Sequence, residues 1–313
     1  MTDQSTAIII FAFNRPEKLK RLVESLASCP EFGAHPLFIF IDGARTPNEQ
    51  SAVEATFAFA ESVSHPLKTV CRRERNLGLR QSLRDGISTV LNRHDAVIVL
   101  EDDLIVGSHA LDYMLRGLGQ YRTENRVASI CAYALSERKS GRETDLAAHF
   151  LPMTHPWGWA TWRDRWQTHT ESLGSVQQQV LPRSRAFRRA MNVSGLRNYA
   201  QMLRLAERGI VNSWWIYWHR DAVVRHQVSL FPAQTHVINA GIDGSGTHAS
   251  RWNFLRKCMP RRNLSQKKET LSQEVSVDFA TLDQIVASHE ARYHRLIDTL
   301  GLIRRYLKRI MGG

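Results

Sequence analysis

Residues 97–104 read Val-Ile-Val-Leu-Glu-Asp-Asp-Leu. Four apolar residues in unbroken succession predict a strand buried on both faces, as in a parallel sheet. Three carboxylates then follow with no spacer. Working outward, the same unit recurs upstream. Ala7–Phe13 is an apolar run, and Pro16 suits the first turn of a helix carrying Leu19, Leu22, Val23 and Leu26. Leu37–Ile41 is a second run ending in Asp42-Gly43, Glu49–Val63 is helix-like, Lys68–Cys71 is a short strand, and Leu79–Leu91 is an amphipathic helix leading to Ala96–Leu100. Strands alternating with helices predict an α/β fold with a mostly parallel sheet and helices on both faces. Such sheets bind ligands beyond the carboxyl ends of their strands. Asn14-Arg15, Asp42 and Glu101-Asp102-Asp103 all fall at such ends. Neither G-x-G-x-x-G nor a P-loop follows the first strand, which disfavours a dinucleotide enzyme or a P-loop kinase.

Three adjacent carboxylates at the end of a buried strand need a cationic partner. A divalent ion supplies one: Mg2+ or Mn2+ takes hard oxygen ligands and can bridge a carboxylate and two phosphate oxygens. It would also stabilise charge on a departing diphosphate. A solvated acidic turn is the plain alternative, awkward beside Ile98, Val99 and Leu100.

Beyond Asp103 the pattern loosens. His109–Tyr121 is a helix, Val127–Tyr133 a strand, Arg185–Glu207 largely helical, and Trp214–Trp218 an aromatic run. Trp157, Trp159, Trp162 and Trp166 crowd one segment, where tryptophans either fill a core or offer faces to sugar C–H groups. Asn239–His248 has glycines at 241, 244 and 246, which permit backbone shapes closed to other residues. Ser245 and His248 could then reach a diphosphate, a plain hairpin turn being the alternative. Arg251–Ser276 reads as a polar, basic linker.

With 313 residues, 43% hydrophobic and 23% charged, the chain suits one α/β domain with an appendage. A formal charge of +12 asks for anionic partners, and it concentrates in Arg72–Arg84, Arg183–Arg197 and the stretch after Trp252. No nucleic-acid-binding signature accompanies it, so no nucleic-acid partner is expected; a basic nucleic-acid-binding protein would leave the acidic segment unexplained. Cys29, Cys71, Cys131 and Cys258 are scattered without a C-x-x-C pair, as expected of idle thiols in a reducing compartment. No run approaches the roughly 18 apolar residues of a membrane span, and MTDQSTAIII lacks a basic n-region. A cytoplasmic protein is expected.

The motifs FAFNRP, FIFIDGAR, NLGL, VIVLEDDL, HPWGWATW and NAGIDGSGTH occur in this order over roughly residues 7–250. The chain thereby resembles bacterial family-2-like glycosyltransferases of the GT-A type, related to N-acetylglucosaminyltransferase I and the protein-O-mannose β-1,2-N-acetylglucosaminyltransferase. The resemblance implies inverting transfer of a sugar from a nucleotide diphosphate donor, UDP-linked in those relatives. It implies that Asp103 holds the metal while Glu101 and Asp102 face the sugar nucleotide. Asp42 would contact the base, Arg15 with Asn14 would lie near the nucleotide, and the Gly158-Trp159 pair near the donor sugar. The glycine-rich segment would close over bound donor.

One departure concerns the base that takes the acceptor proton. Where the relatives place an Asp in a D-S-W segment, this chain reads Asn212-Ser213-Trp214-Trp215. Asn cannot accept a proton at neutral pH. Asp243, Asp221 and Glu207 are the candidates in its place. A catalytically impaired nucleotide-sugar-binding or scaffold protein is the competing reading.

Residues 1–250 are therefore expected to form the GT-A domain, with 1–103 as the nucleotide-binding half and 104–250 as the acceptor and lid half. Residues 251–313 would be a basic linker and tail. In the tail Leu296, Leu300, Ile303, Leu307 and Ile310 recur at helical spacing, with Arg292, Arg295, Arg304, Arg305, Lys308 and Arg309 on other faces. Such a helix suits the inner face of an anionic membrane. Docking there fits a glycan or lipid-linked glycan acceptor in surface polysaccharide synthesis, whereas packing on the body is the alternative.

Overall fold

The computed structural model describes residues 5–135, 146–169, 184–243 and 263–288, with the backbone alone at 242 and 243. Its strands are β1 (Thr6–Ala12), β2 (Leu37–Ile41), β3 (Lys68–Arg72), β4 (Ala96–Glu101), β5 (Leu104–Val106), β6 (Val127–Cys131), β7 (His149–Leu151), β8 (Trp159–Trp162), β9 (Val228–Phe231) and β10 (Val237–Asn239). Eight of them form one sheet in the order β3-β2-β1-β4-β8-β6-β9-β7, and β10 pairs with β5 in a small second sheet. The β3-β2-β1-β4 half is wholly parallel. Beyond β4 the sheet is mixed, because β8 runs antiparallel to both β4 and β6, and β7 antiparallel to β9.

The apolar runs become strands because both of their faces are covered. In β1, Ile8, Ile10 and Ala12 enter one cluster, with Leu19, Leu22 and Leu26 of helix Pro16–Leu26 and Met114 and Leu118 of helix Ala110–Gln120. Ala7, Ile9 and Phe11 point the other way, onto Leu83 and Ile87 of helix Leu79–Leu91 and the tryptophan-rich helix Trp215–Val224. Each such side chain contributes about 1.5–3 kcal/mol on burial. Period two along the strand thus serves two cores, as expected for a parallel sheet with helices on both faces.

The sequence places the first hundred residues closely, and the differences lie later. Arg185–Glu207 is two helices, Arg185–Met191 and Tyr199–Glu207, parted where Ser194 takes φ 55°. The aromatic run Trp214–Trp218 opens the helix Trp215–Val224. Residues 263–276, expected in a free linker, are tied to the body. Ser265 N donates to Thr235 O at 2.8 Å, Ala147 bridges Thr270, and Phe150 bridges Val277. Helix Phe279–Ala287 then buries Leu282 and Ile285 against Leu151, Met153 and Phe231. Residues 263–288 therefore pack with the sheet, and a boundary at 250 does not separate them from it. The amphipathic stretch 289–313 lies outside the described residues. Among the described residues no helix is long and apolar enough to cross a membrane, and Cys29, Cys71 and Cys131 are free thiols.

Candidate active site

The strand order sets the site. From β1 the chain steps to β2 and β3 on one side, then returns to lay β4 on the other side of β1. The carboxyl ends of β1 and β4 therefore flank a topological switch point, where open α/β sheets hold their ligands. Arg15 follows β1 and precedes the helix that begins at Pro16. Glu101 ends β4, with Asp102 and Asp103 just beyond it. The Arg15 guanidinium spans the crevice. It pairs with Asp102, Nε reaching Oδ2 at 3.3 Å, and Nη1 lies 3.4 Å from Asp103 Oδ2. The structure thus brings together four of the residues singled out from the sequence.

Charge is unbalanced here. Burial, reinforced by the neighbouring charges of Asp103 and Asp102, pushes Glu101 up to about 8, although the Trp214 indole donates to it and Arg15 attracts it. Burial also pushes Asp102 up to about 6 against the opposing pull of Arg15. For Arg15 burial works downward, but the two aspartates outweigh it and raise its pKa. Three carboxylates against one guanidinium in a poorly hydrated crevice fit a divalent cation, whose charge removes the mutual repulsion. Asp103 is the more open aspartate, with its side chain 16% exposed against 2% for Asp102. Among the described residues no three His, Cys, Asp or Glu side chains converge to hold an ion alone. A single carboxylate completed by oxygens of a bound ligand suits Mg2+ or Mn2+, which seldom sits in an all-protein cage.

The far wall is the second sheet. β10 pairs with β5 so that Asn239 faces Leu104, and Ala240 N donates to Asp103 O at 2.7 Å. Gly241 N donates to Asn239 Oδ1 at 2.7 Å. A methyl at Gly241 would overlap the Asp103 carboxylate and stand 2.9 Å from Asn239 Oδ1. The glycine-rich segment thus begins against Asp103, and the requirement for glycine at 241 is a close approach. The short helix Ala240–Asp243 carries the backbone of Asp243 past the same point. Ser245 and His248 lie outside the described residues.

Asp42 is 6% exposed and accepts backbone N–H bonds from Gly43, Leu77 and Gly78 at 3.1, 2.8 and 2.9 Å. It thereby pins the NLGL turn, in which Gly78 takes φ 75° before helix Leu79–Leu91. Asn14 lies partly buried at the crevice beside Arg15.

The tryptophans divide. Trp159, expected near the donor sugar, is 1% exposed, with ring centroids of Trp214, Trp218 and Trp166 at 5.5, 5.5 and 6.2 Å. Its faces are taken by other rings, so it acts in the core and not as a sugar platform. Gly158 takes φ 63°, and a methyl there would meet Val237 Cγ1 at 2.9 Å. Its role is to let the strand turn tightly beside β10. Trp157, one turn outward, stays partly exposed.

The base candidates separate as sharply. Asp221 is 1% exposed; Oδ1 accepts from Arg220 at 2.8 Å and Oδ2 meets His169 Nδ1 at 2.6 Å. A carboxylate sealed in that network cannot meet an acceptor hydroxyl, which corrects its candidacy. Glu207 sits exposed at the end of helix Tyr199–Glu207, where partial burial raises its pKa against nearby arginines. Asn212 is exposed, two residues before Trp214. The Trp214 donor itself was not singled out from the sequence, because an indole pointing at a carboxylate leaves no spacing signature.

A model of the glycosyl transferase family 2 domain matches residues 7–189. No curated protein matches the chain. Among solved structures, a mannosyltransferase from Pyrobaculum calidifontis, in complex with GDP-Man and Mn2+, is 11% identical with a TM-score of 0.44, over 99% of this chain and 88% of that one. GalNAc-T7 with UDP, GalNAc and Mn2+ is 11% identical with a TM-score of 0.44, over 74% and 43% of the two chains. Glucosyl-3-phosphoglycerate synthase from Mycobacterium tuberculosis, with Mn2+, UDP and glucosyl-3-phosphoglycerate, is 14% identical with a TM-score of 0.33, over 51% and 57%.

Proposed function

The chain belongs to glycosyl transferase family 2, and on that premise we propose that it moves a sugar from a nucleotide diphosphate donor to a glycan or lipid-linked glycan acceptor with inversion. Its fold is of the GT-A type and it is a glycosyltransferase; the donor, acceptor, stereochemistry and residue roles are the proposal. The observation that carries it is the crevice between β1 and β4, where three carboxylates confront one guanidinium.

Asp103 would hold Mn2+ or Mg2+ at the diphosphate end of the crevice. When bound, that cation supplies Lewis-acid neutralisation of the departing diphosphate. Arg15 keeps Asp102 ionised and adds positive charge at the diphosphate end. Glu101, steadied by the Trp214 indole, faces the donor sugar and accepts from its hydroxyls. Asp42 and the turn it pins shape the base-binding end, with Asn14 beside the nucleotide. UDP is the expected nucleotide, by likeness to N-acetylglucosaminyltransferase I and its relative. Ser245 and His248, outside the described residues, are assigned to the donor diphosphate on the resemblance alone.

The base is assigned to Asp243 or Glu207: Asn212 cannot serve, Asp221 is sealed, Glu207 is exposed, and the backbone that leads to Asp243 starts from Ala240 against Asp103. That carboxylate takes the acceptor hydroxyl proton as the new bond forms at the anomeric carbon, while the bond to the diphosphate breaks with its electron pair. A catalytically impaired nucleotide-sugar binder is favoured by one observation, the amide at Asn212. Turnover decides between the two readings.

The test is calorimetry of UDP, and of other nucleotides, with and without Mn2+. Asp103→Ala is expected to abolish the metal-dependent part of the affinity. Unchanged metal-dependent binding in that variant would overturn the role of Asp103. No metal-dependent nucleotide binding by the unmodified protein would overturn the proposed donor and cofactor together.

A further inference from the structure

We propose that Tyr133, His155 and Trp157 form the subsite that seats the acceptor sugar, an inference that rests on the donor site proposed above. Their position follows from strand register. Trp159 pairs with Val99 of β4 on one side and Cys131 of β6 on the other. One step outward, Gly158 O accepts from Ala132 N at 2.8 Å, and a Gly158 methyl would stand 3.5 Å from Leu100 Cδ2. Trp157 lies one residue further out, beyond the last paired position. The left-handed backbone at Gly158 breaks the alternation, so Trp159 joins the core on the side of helix Trp215–Val224 while Trp157 packs against the opposite cluster.

The three rings form a corner. Tyr133 and His155 stack at 4.7 Å with planes 14° apart. Trp157 stands across both, at 4.8 Å and 82° from Tyr133 and at 5.2 Å and 85° from His155. All three are partly exposed, whereas Ala132, Gly158 and Trp159 between them are buried. Large rings left partly open at the polar end of a covered sheet offer apolar faces to a ligand. Trp157 N donates to His155 Nδ1 at 3.3 Å, which ties the imidazole into the corner. Flat apolar faces left partly open match the C–H face of a pyranose ring.

Order along the sheet separates acceptor from donor. Asp42 ends β2, Arg15 follows β1 and the carboxylates end β4, while the aromatic corner stands at β8 and β6 on the far side. Strands lie about 4.8 Å apart, so the corner begins one to two spacings, about 5–10 Å, beyond Glu101. That is roughly one sugar ring further from the nucleotide end than the donor sugar.

The test uses methyl β-glucopyranoside, methyl β-galactopyranoside and methyl N-acetyl-β-glucosaminide as probes, observed by saturation-transfer NMR with UDP and Mn2+ present. Calorimetry of UDP with Mn2+ runs alongside. At least one pyranoside is expected to bind, with transfer strongest at its ring C–H groups. Trp157→Ala should weaken it about tenfold, Trp157→Phe should keep most of the affinity, and UDP should bind as before. Where Trp157→Ala does not fold, Trp157→Phe against Trp157→Leu makes the same comparison of ring with bulk. Unchanged pyranoside binding without the ring, or no pyranoside binding while UDP binds, would overturn this subsite and leave the donor site standing. Selective loss of UDP-sugar affinity over UDP in Trp157→Ala would place the donor sugar on the ring and overturn the acceptor assignment.

Discussion

Glu269 offers the sharpest prediction about how the site is held. It is 2% exposed, and its two carboxylate oxygens accept the backbone N–H groups of Ala233 and Gln234, each at 2.8 Å. His236 Nε2 lies 3.6 Å away, and the ring stacks on Tyr113 at 4.7 Å. From Gln234 the chain passes directly into β10 and then to Ala240 and Gly241 against Asp103. Glu269 therefore anchors the strand that forms the far wall of the crevice, from a position 166 residues after Asp103 in a stretch whose composition reads as linker. Glu269→Ala leaves two buried N–H groups without acceptors, and hydrogen bonds to a charged group are worth about 1.5–3 kcal/mol each. The expected loss is about 3–6 kcal/mol, a large part of an ordinary domain's stability. At about 2 °C per kcal/mol for a chain of this size, the apparent Tm falls by roughly 6–12 °C.

Glu269→Gln keeps one acceptor oxygen and turns an amide donor toward the other N–H, so its loss should be about half as large. Scanning calorimetry of the full chain measures both. A second reading is metal-dependent UDP affinity below the melting range, which should drop in Glu269→Ala because β10 is no longer tethered. A fall of less than about 1 kcal/mol in Glu269→Ala would refute the reasoning, since it would mean that water or another group satisfies the two donors.

Other outcomes follow from single contacts. Gly241→Ala should fold, since the crowded neighbours are side-chain carboxylate and amide oxygens, but should lose most of its Mn2+-dependent nucleotide affinity; unchanged affinity would detach the glycine from the metal site. Of Asp243→Asn and Glu207→Gln, one should abolish transfer while leaving nucleotide binding intact, and transfer within a few-fold of the parent in both would assign the base elsewhere. Burial holds His219 down to about 4, opposed by its bond to Met191 O. Its neutral form is native, so stability is full above the unfolded value near 6.5 and falls by about 3 kcal/mol as pH drops toward 4; His219→Gln should flatten that fall in urea titrations. Deleting residues 293–313 should release the protein from anionic vesicles without changing UDP binding, whereas loss of folding would show that this stretch belongs to the core.

The legible part of the fold is the part in which local pattern and tertiary surroundings agree. β1, β2 and β4 are continuous apolar runs because both faces are covered, and each closes on polar residues because strand ends carry the site. What escaped were β5, β7, β8, β9 and β10, of three or four residues each, which are strands only through their partners. The turn at Gly158 shows the same limit within one motif. Four tryptophans in twelve residues tell nothing about which ring reaches ligand until a positive φ is placed among them. With φ 63° at Gly158, Trp159 goes to the core and Trp157 stays at the crevice.

The carboxylates divide by partner, which a sequence does not display. Asp102, Asp221 and Glu269 are all nearly fully buried, yet each meets a different kind of donor: a guanidinium beside an acidic cluster, an Arg–His pair, and two backbone amides. Asp221 and Glu269 have donors at both oxygens, so replacing either leaves those donors bare and acts first on stability. Around Asp102 the negative charge still exceeds the positive, because Asp102 and Asp103 share the single arginine even with Glu101 holding its proton. Surplus charge, not burial, is thus what separates a site from a structural ion pair here. It follows that neutralising the surplus by Asp103→Asn should stabilise the unliganded fold even as it weakens metal-dependent binding, whereas Asp221→Asn should destabilise it. Thermal melts of the two variants in chelator would distinguish these signs, and a loss of stability in both would remove the argument that the crevice awaits a cation.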